Sequence, residues 1–318
     1  MKILAPVNTL ESAKAFVDAG VGEIYLGYDD GLFRTYSFTG RGKVAQDHLT
    51  VLPSYECFCE IVAYGHSKGT KVNFLANIPF LHNGTYQSEE MSAYFRRYVS
   101  KAVSADVDAV VVGDMGLLLE LNKMRLPVNL HASLFLNTMN VEQLNFLKSI
   151  GIKRVTLSYQ VSMQEIVHIC KIREIEIEVV GYQGCSFFNG LCGMMHAYGE
   201  GIRNDFKPGI SCRALYKVTD AAHSKDSRIF LCNSSCSLCK IYELEKCGVH
   251  SLKMVGRDNN YINTLKVITL YQETLCKFRS GDTTDKIRAD LPDWWKRMFC
   301  KAGSCKYTED GCEHEYMI

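Results

Sequence analysis

Short apolar runs rich in β-branched residues alternate with amphipathic stretches along the first two-thirds of the chain. The runs predict strands at Lys2–Pro6, Glu23–Gly27, Lys71–Ala76, Ala109–Gly113, Val128–His131, Arg154–Ser158 and Glu176–Gly181. They are short and largely continuous in hydrophobicity, as strands covered on both faces are. Between them the spacing predicts helices at Leu10–Ala19, Ser88–Ser104, Val141–Ile150 and Ser162–Ile172. Thr9, Asn140 and Ser162 stand where side-chain caps belong, and Gly20 and Gly151 where helices stop. A last strand at Ser251–Val255 precedes a long amphipathic helix, Tyr261–Phe278. Strand and helix alternating this regularly predict a parallel sheet with right-handed crossovers. Eight such units favour a closed (β/α)8, TIM-like barrel, with an open doubly wound sheet as the runner-up.

The rhythm breaks before the last strand. Residues 184–227 are rich in Gly, Cys and Asn without a sustained period, and a cysteine segment follows. A long irregular excursion after a barrel strand is where such folds place function. Beyond Phe278 the chain turns polar through Asp293, and Trp294–Ile318 reads as a short cysteine-bearing tail. The organisation predicted is a barrel domain over residues 1–280, with a cluster-binding segment at 182–240, and a C-terminal tail at 281–318.

Charge changes this picture little. With 36 basic and 35 acidic residues the chain lacks the excess that broad binding to nucleic acid or an anionic membrane requires. No segment approaches the ~20 apolar residues of a membrane helix. The opening residues, Met1 to Asn8, are too soon interrupted for a signal peptide. A cytoplasmic protein without membrane contact is the expectation, and there thiols stay reduced.

Cysteine changes it a great deal. Of 14 cysteines only Cys57, Cys59 and Cys170 precede position 185, and Cys57 and Cys59 sit in a helical run. The others include Cys185 and Cys192 as C-x6-C, then Cys212, then Cys232, Cys236 and Cys239 as C-x3-C-x2-C. In a reducing compartment such concentration favours metal ligation over disulfides. The wide spacings suit a 4Fe–4S cluster better than a zinc knuckle, although Cys236 and Cys239 keep zinc open. Buried thiols without metal are the plainer alternative. The C-x3-C-x2-C spacing is also that of the radical-SAM loop, but that loop follows a first barrel strand and this segment precedes a last one. Cys300, Cys305 and Cys312 would, with one spare thiol from the Cys232 segment, hold a second iron–sulfur cluster. A tail with incidental cysteines is the even alternative.

Several other residues invite chemistry. Arg257, after the last strand, stands where a barrel places an anion-binding group, or forms a structural ion pair. His131 and Ser133, at the end of the fifth strand, are candidates for proton relay and substrate binding, with a core histidine the commoner outcome. Arg34 and Arg213 are candidate substrate contacts. With Arg41 and Arg203 they would form a small basic groove for one flipped-out base. Neither G-x-S-x-G nor H-E-x-x-H occurs, and Cys185 as a nucleophile competes with its use as a ligand.

On these residues the chain resembles peptidase family U32, the collagenase-like family. The family's opening phrase is matched by Leu4-Ala5-Pro6, Leu10-Glu11, Ala15, Gly20 and Tyr25-Leu26-Gly27. Its cysteine phrase is matched at Cys185, Gly190 and Cys192, with Tyr182-Gln183-Gly184 in place of the usual His-Gly. Ser211-Cys212-Arg213 replaces its P-C-R, and Gly248 to Arg257 follows its closing phrase, with Val255 where a Glu is usual.

The resemblance implies a barrel-like α/β fold and makes the peptidase label doubtful. Relatives in ubiquinone synthesis and RNA hydroxylation bind a 4Fe–4S cluster through cysteines like these. They hydroxylate without oxygen, with prephenate the proposed oxygen donor for some, and some work with a related U32 subunit. The functional expectation is therefore an iron–sulfur enzyme acting on a small anionic molecule, a peptide or an RNA base. A U32-type peptidase with a structural metal site is the alternative. The cluster ligands expected are Cys185, Cys192, Cys212 and one of Cys232, Cys236 and Cys239.

Overall fold

The computed structural model describes residues 1–31, 52–77, 89–182, 216–219, 224–227, 236–256, 260–300 and 305–307. Strands β1 (Lys2–Pro6), β2 (Glu23–Leu26), β3 (Lys71–Ala76), β4 (Ala109–Val112), β5 (Asn129–Ala132), β6 (Arg154–Thr156) and β7 (Glu176–Val180) follow in order. An antiparallel hairpin, β8 (Tyr216–Thr219) and β9 (Ser224–Ser227), precedes the last barrel strand, β10 (Ser251–Lys253). The barrel closes in the order β1-β10-β7-β6-β5-β4-β3-β2, and every pairing within it is parallel. The predicted (β/α)8 barrel is the observed fold. The hairpin is a difference, since residues 184–227 carry no period by which a strand pair is recognised.

Helices α1 (Leu10–Asp18), α2 (Tyr55–Ser67), α3 (Glu89–Val103), α4 (Met115–Met124), α5 (Val141–Ser149), α6 (Met163–Ile169), α7 (Ile241–Cys247) and α8 (Tyr261–Arg279) alternate with the strands. Their starts are written in the sequence. Thr9 and Ser162 form reciprocal capping boxes with Ser12 and Glu165, and the Asn140 side chain accepts from the Gln143 N–H. Gly248 ends α7 at φ +105°, a left-handed turn that returns the chain into β10.

Period-two alternation divides each strand between two environments. Ile24, Val72, Phe74, Val110, Val112, Leu130, Val155, Ile177 and Leu252 belong to the large core that includes the helices. Leu4, Tyr25, Leu75 and Val111 form a separate small cluster. The same period assigns Glu23, Asn73, His131, Arg154, Thr156, Glu178 and Lys253 to the barrel interior, and all seven are buried.

The chain after α8 is a second difference. The polar stretch and tail contain α9 (Thr284–Asp290) and α10 (Asp293–Phe299), both packed through buried side chains. Ile287, Leu291, Trp295 and Phe299 are all buried. Trp295 stacks near Phe299 at 4.2 Å between ring centroids and meets Tyr271 edge-on at 5.9 Å. Among the described residues no helix is long and apolar enough to cross a membrane.

Candidate functional site

All eight barrel strands run the same way, so one end of the barrel collects their C-termini and the other their N-termini. The two ends differ in chemistry.

Arg154, on the first residue of β6, organises the N-terminal half of the interior. Its guanidinium bonds Glu23, with one contact at 2.9 Å, and reaches Glu176 at 2.7 Å and Glu178 at 3.4 Å. Asn73 donates to Glu23 at 3.1 Å, Thr156 to Glu178 at 2.8 Å, and Lys253 to Glu178 at 3.3 Å. Burial alone would raise the Glu23 carboxyl, but the Arg154 hydrogen bonds and charge hold it down at about 2. A polar cavity of about 340 Å³ opens below this network, lined by Lys71, Asn129, Lys153, Arg173, Glu176 and His250 among others.

His131 lies on the edge of that cavity, 5% exposed. Burial pushes its imidazole well below the ordinary histidine range, and the Arg154 charge pushes it further, so it is neutral. The register pairs His131 with Arg154, one step before the end of β5, which puts it in the barrel interior. Ser133, two residues on, is buried and accepts from the Phe135 N–H at 3.3 Å, capping the 3-10 turn Leu134–Leu136.

At the C-terminal mouth, β7 runs on through Gly181 to Tyr182, which bridges to Cys236. The Ser237 N–H donates to the Gly181 carbonyl at 2.9 Å, and the Tyr271 hydroxyl donates to it at 2.8 Å. The Tyr182 hydroxyl donates to the Val255 carbonyl at 2.7 Å, tying β7 to the residues after β10. Cys236 in turn pairs with Cys305 in a parallel bridge, and the Lys306 N–H donates to the Cys236 carbonyl at 2.8 Å. The Tyr307 hydroxyl closes the arrangement on the Val180 carbonyl at 3.1 Å. Cys305 of the tail is thereby carried to Cys236 at the mouth.

Cys236, Cys239 and Cys300 are free thiols. Burial pushes Cys236 up to about 12, with the neighbouring thiols adding to it. The Cys239 thiol nearby raises the Arg288 guanidinium above its ordinary value. Among the described residues no three His, Cys, Asp or Glu side chains already converge as a metal site.

The structure describes four of the nine candidate cysteines and joins Cys236 to Cys305 by a backbone bridge. Cys185, Cys192, Cys212, Cys232 and Cys312 lie outside the described residues, as do Arg34, Arg213 and Arg257. One mouth residue went unnoticed in the sequence. Asn77, just past β3 and 7% exposed, has an Oδ1 without a hydrogen-bond partner among the described residues. An inward Asn at the end of an apolar strand, in step with Asn73 and Leu75, was the signal available. Gly113 stands beside it, where a Cβ would meet the Asn77 Oδ1 at 3.0 Å.

A closed parallel eight-stranded barrel whose strands alternate with helices defines a (β/α)8 protein. The chain belongs to peptidase family U32, whose model matches residues 8–312. It is 24% identical over 271 residues to the 23S rRNA 5-hydroxycytidine C2501 synthase of Escherichia coli (strain K12), covering 83% of this chain and 38% of that protein. It is 24% identical over 284 residues to tRNA hydroxylation protein P1 of Bacillus subtilis (strain 168), covering 86% of this chain and 63% of that protein. The chain thus spans about two-fifths and three-fifths of the lengths of these relatives. Among solved structures, the U32 peptidase Mk0906 superposes with a TM-score of 0.51 at 14% identity, over 80% of this chain and 93% of that one, a likeness of fold.

Proposed function

We propose that this chain is an iron–sulfur protein that hydroxylates a base in RNA without molecular oxygen. The observation that carries the reading is the match, over more than four-fifths of the chain, to proteins named for rRNA and tRNA hydroxylation. A 4Fe–4S cluster would be held by Cys185, Cys192, Cys212 and a fourth thiol from Cys232, Cys236 or Cys239. The donor set fits, because Cys236 and Cys239 are free thiols on the segment joined to the C-terminal end of β7, where barrel enzymes keep their reacting groups. When bound, such a cluster supplies one-electron redox chemistry.

The chain's own residues would do the remaining work. Arg257, Arg34 and Arg213 supply cations for an anionic donor or for phosphate flanking the base. Asn77 offers a buried carbonyl oxygen that accepts from an exocyclic amine or hydroxyl. His131, neutral and facing the floor cavity, is a positioning residue in this scheme. Converting C–H to C–OH removes two electrons from the base and adds one oxygen atom. An organic hydroxyl donor, the co-reactant, gives up the oxygen and accepts the electrons.

The peptidase reading needs a nucleophile beside a base. Of the described histidines, His66 bonds Asp108 at 2.9 Å, His250 pairs with Glu176 at 3.1 Å, His131 is buried, and His168 is exposed on the outer helix α6. Nucleoside mass spectrometry of total RNA tests the proposal. A strain lacking the protein should lose one hydroxylated nucleoside, restored by the wild-type chain and not by Cys192→Ser. An unchanged nucleoside profile would overturn it.

A further inference from the structure

The floor cavity at the N-terminal end of the barrel carries a charge imbalance that the fold leaves in place. Behind it the interior network is neutral in itself. Arg154 and Lys253 pair with Glu23, Glu176 and Glu178, and Lys2 lies 3.5 Å from Glu23. The other carboxylates lining the cavity are also committed. Asp108 accepts from the Val72 N–H at 2.8 Å and lies 2.9 Å from the His66 Nε2, and Glu174 pairs with Lys148.

Three cations are left over. Lys71 opens β3, Lys153 immediately precedes β6, and Arg173 stands in the turn between α6 and β7, so parallel pairing sets all three at one end of the barrel. Each lines the cavity and is exposed. Among the described residues none of the three has an ion-pair partner. The Arg173 guanidinium lies over Gly248, where a Cβ would meet its Nη1 at 3.3 Å, so its head is held at the floor.

His131 is the second observation. It is 5% exposed, lines the same cavity, and its ring hydrogen-bonds no described residue. A neutral imidazole carries one N–H donor and one acceptor lone pair, and buried groups of this kind are met by a partner. We propose that the floor cavity binds a small oxyanion of two or more negative charges, of the phosphate or phosphate-ester class, held by Lys71, Lys153 and Arg173 and accepting a hydrogen bond from His131. Ammonium heads and a guanidinium fork suit phosphate oxygens. A volume of about 340 Å³ suits a small molecule. An anion there joins the starts of β3, β6 and β7 and stabilises the folded chain. The site lies at the opposite end of the barrel from the proposed hydroxylation chemistry, and neither depends on the other.

Isothermal titration calorimetry of inorganic phosphate and of pyrophosphate into the full-length chain tests the site. One saturable site per chain is expected. Lys153→Ala/Arg173→Ala removes only exposed side chains and should weaken binding by about tenfold or more. Lys217→Ala/Lys266→Ala takes the same charge from exposed positions outside the cavity and should change the dissociation constant by less than about twofold. Absence of saturable binding, or equal weakening by both pairs, would overturn the proposal.

Imidazole 15N resonances of the wild type locate the ion without any variant. His131 should shift along the same binding curve as the calorimetry, while His168, exposed on α6, should stay in place. A shift confined to His250 at the cavity edge, or no histidine shift, would mean an adventitious ion only and would contradict the site.

Discussion

The two ends of the barrel solve the same packing problem with opposite chemistry. At the N-terminal end charges are neutralised within the protein: Arg154 faces Glu23, Glu176 and Glu178, and Lys253 takes the remaining Glu178 oxygen. At the C-terminal end the described residues include thiols, an Asn77 oxygen without a hydrogen-bond partner among the described residues, and carbonyls held by tyrosines. One end pairs its charges within the fold, and the proposed site is assigned to the other. Barrel enzymes divide stability and chemistry in this way, and here the division can be broken one end at a time.

The largest effect should come from the N-terminal end. Arg154→Ala leaves Glu23 and Glu178 buried without their cation, and about 3–5 kcal/mol of stability should be lost in urea unfolding. A loss below about 1 kcal/mol would mean that water reaches the carboxylates. Trp295→Ala empties a fully buried ring site and should cost about 3 kcal/mol. Its diagnostic readout is protease cleavage between α8 and α10, since the tail loses its anchor while the barrel persists.

Acid sharpens the same contrast. Glu23 is held at about 2 against an ordinary 4.5, so its folded form binds protons less readily than the unfolded chain. Its stabilising contribution is therefore complete above about pH 5 and is lost as pH falls through about 2. The denaturant midpoint of the wild type should drop over that window, and Glu23→Gln should start lower and show a flatter acid limb. Parallel acid limbs would place the titration elsewhere. The smallest effect belongs to a helix start far from both ends: Ser162→Ala removes the α6 cap and should cost about 1 kcal/mol. Iron content should be unmoved by Cys57→Ser or Cys59→Ser, both on α2.

The barrel was legible because a strand covered on both faces leaves an apolar run that no loop imitates, and all eight runs became strands. The charged interior was legible only in part. Glu23, Arg154 and Glu178 interrupt those runs, but which face they take depends on pairing register. For the same reason the depth of His131 could not be read: its place beside Arg154 follows from how β5 meets β6. The tail helices were missed although Ile287, Leu291, Trp295 and Phe299 recur at every fourth position. Pro292 splits that stripe into two seven-residue helices, too short to stand out from polar surroundings and held by packing rather than propensity. Cysteine clustering pointed to the mouth, but contact between positions 236 and 305 is a product of the fold.

Iron and acid-labile sulfide in anaerobically purified protein test the central claim most directly, with the wild type set against Cys192→Ser/Cys212→Ser. The wild type should be brown and hold about four irons and four sulfides per chain, and the variant should be colourless with less than about one. A colourless, iron-free wild type, or a variant with undiminished iron, would contradict an iron–sulfur site at the barrel mouth.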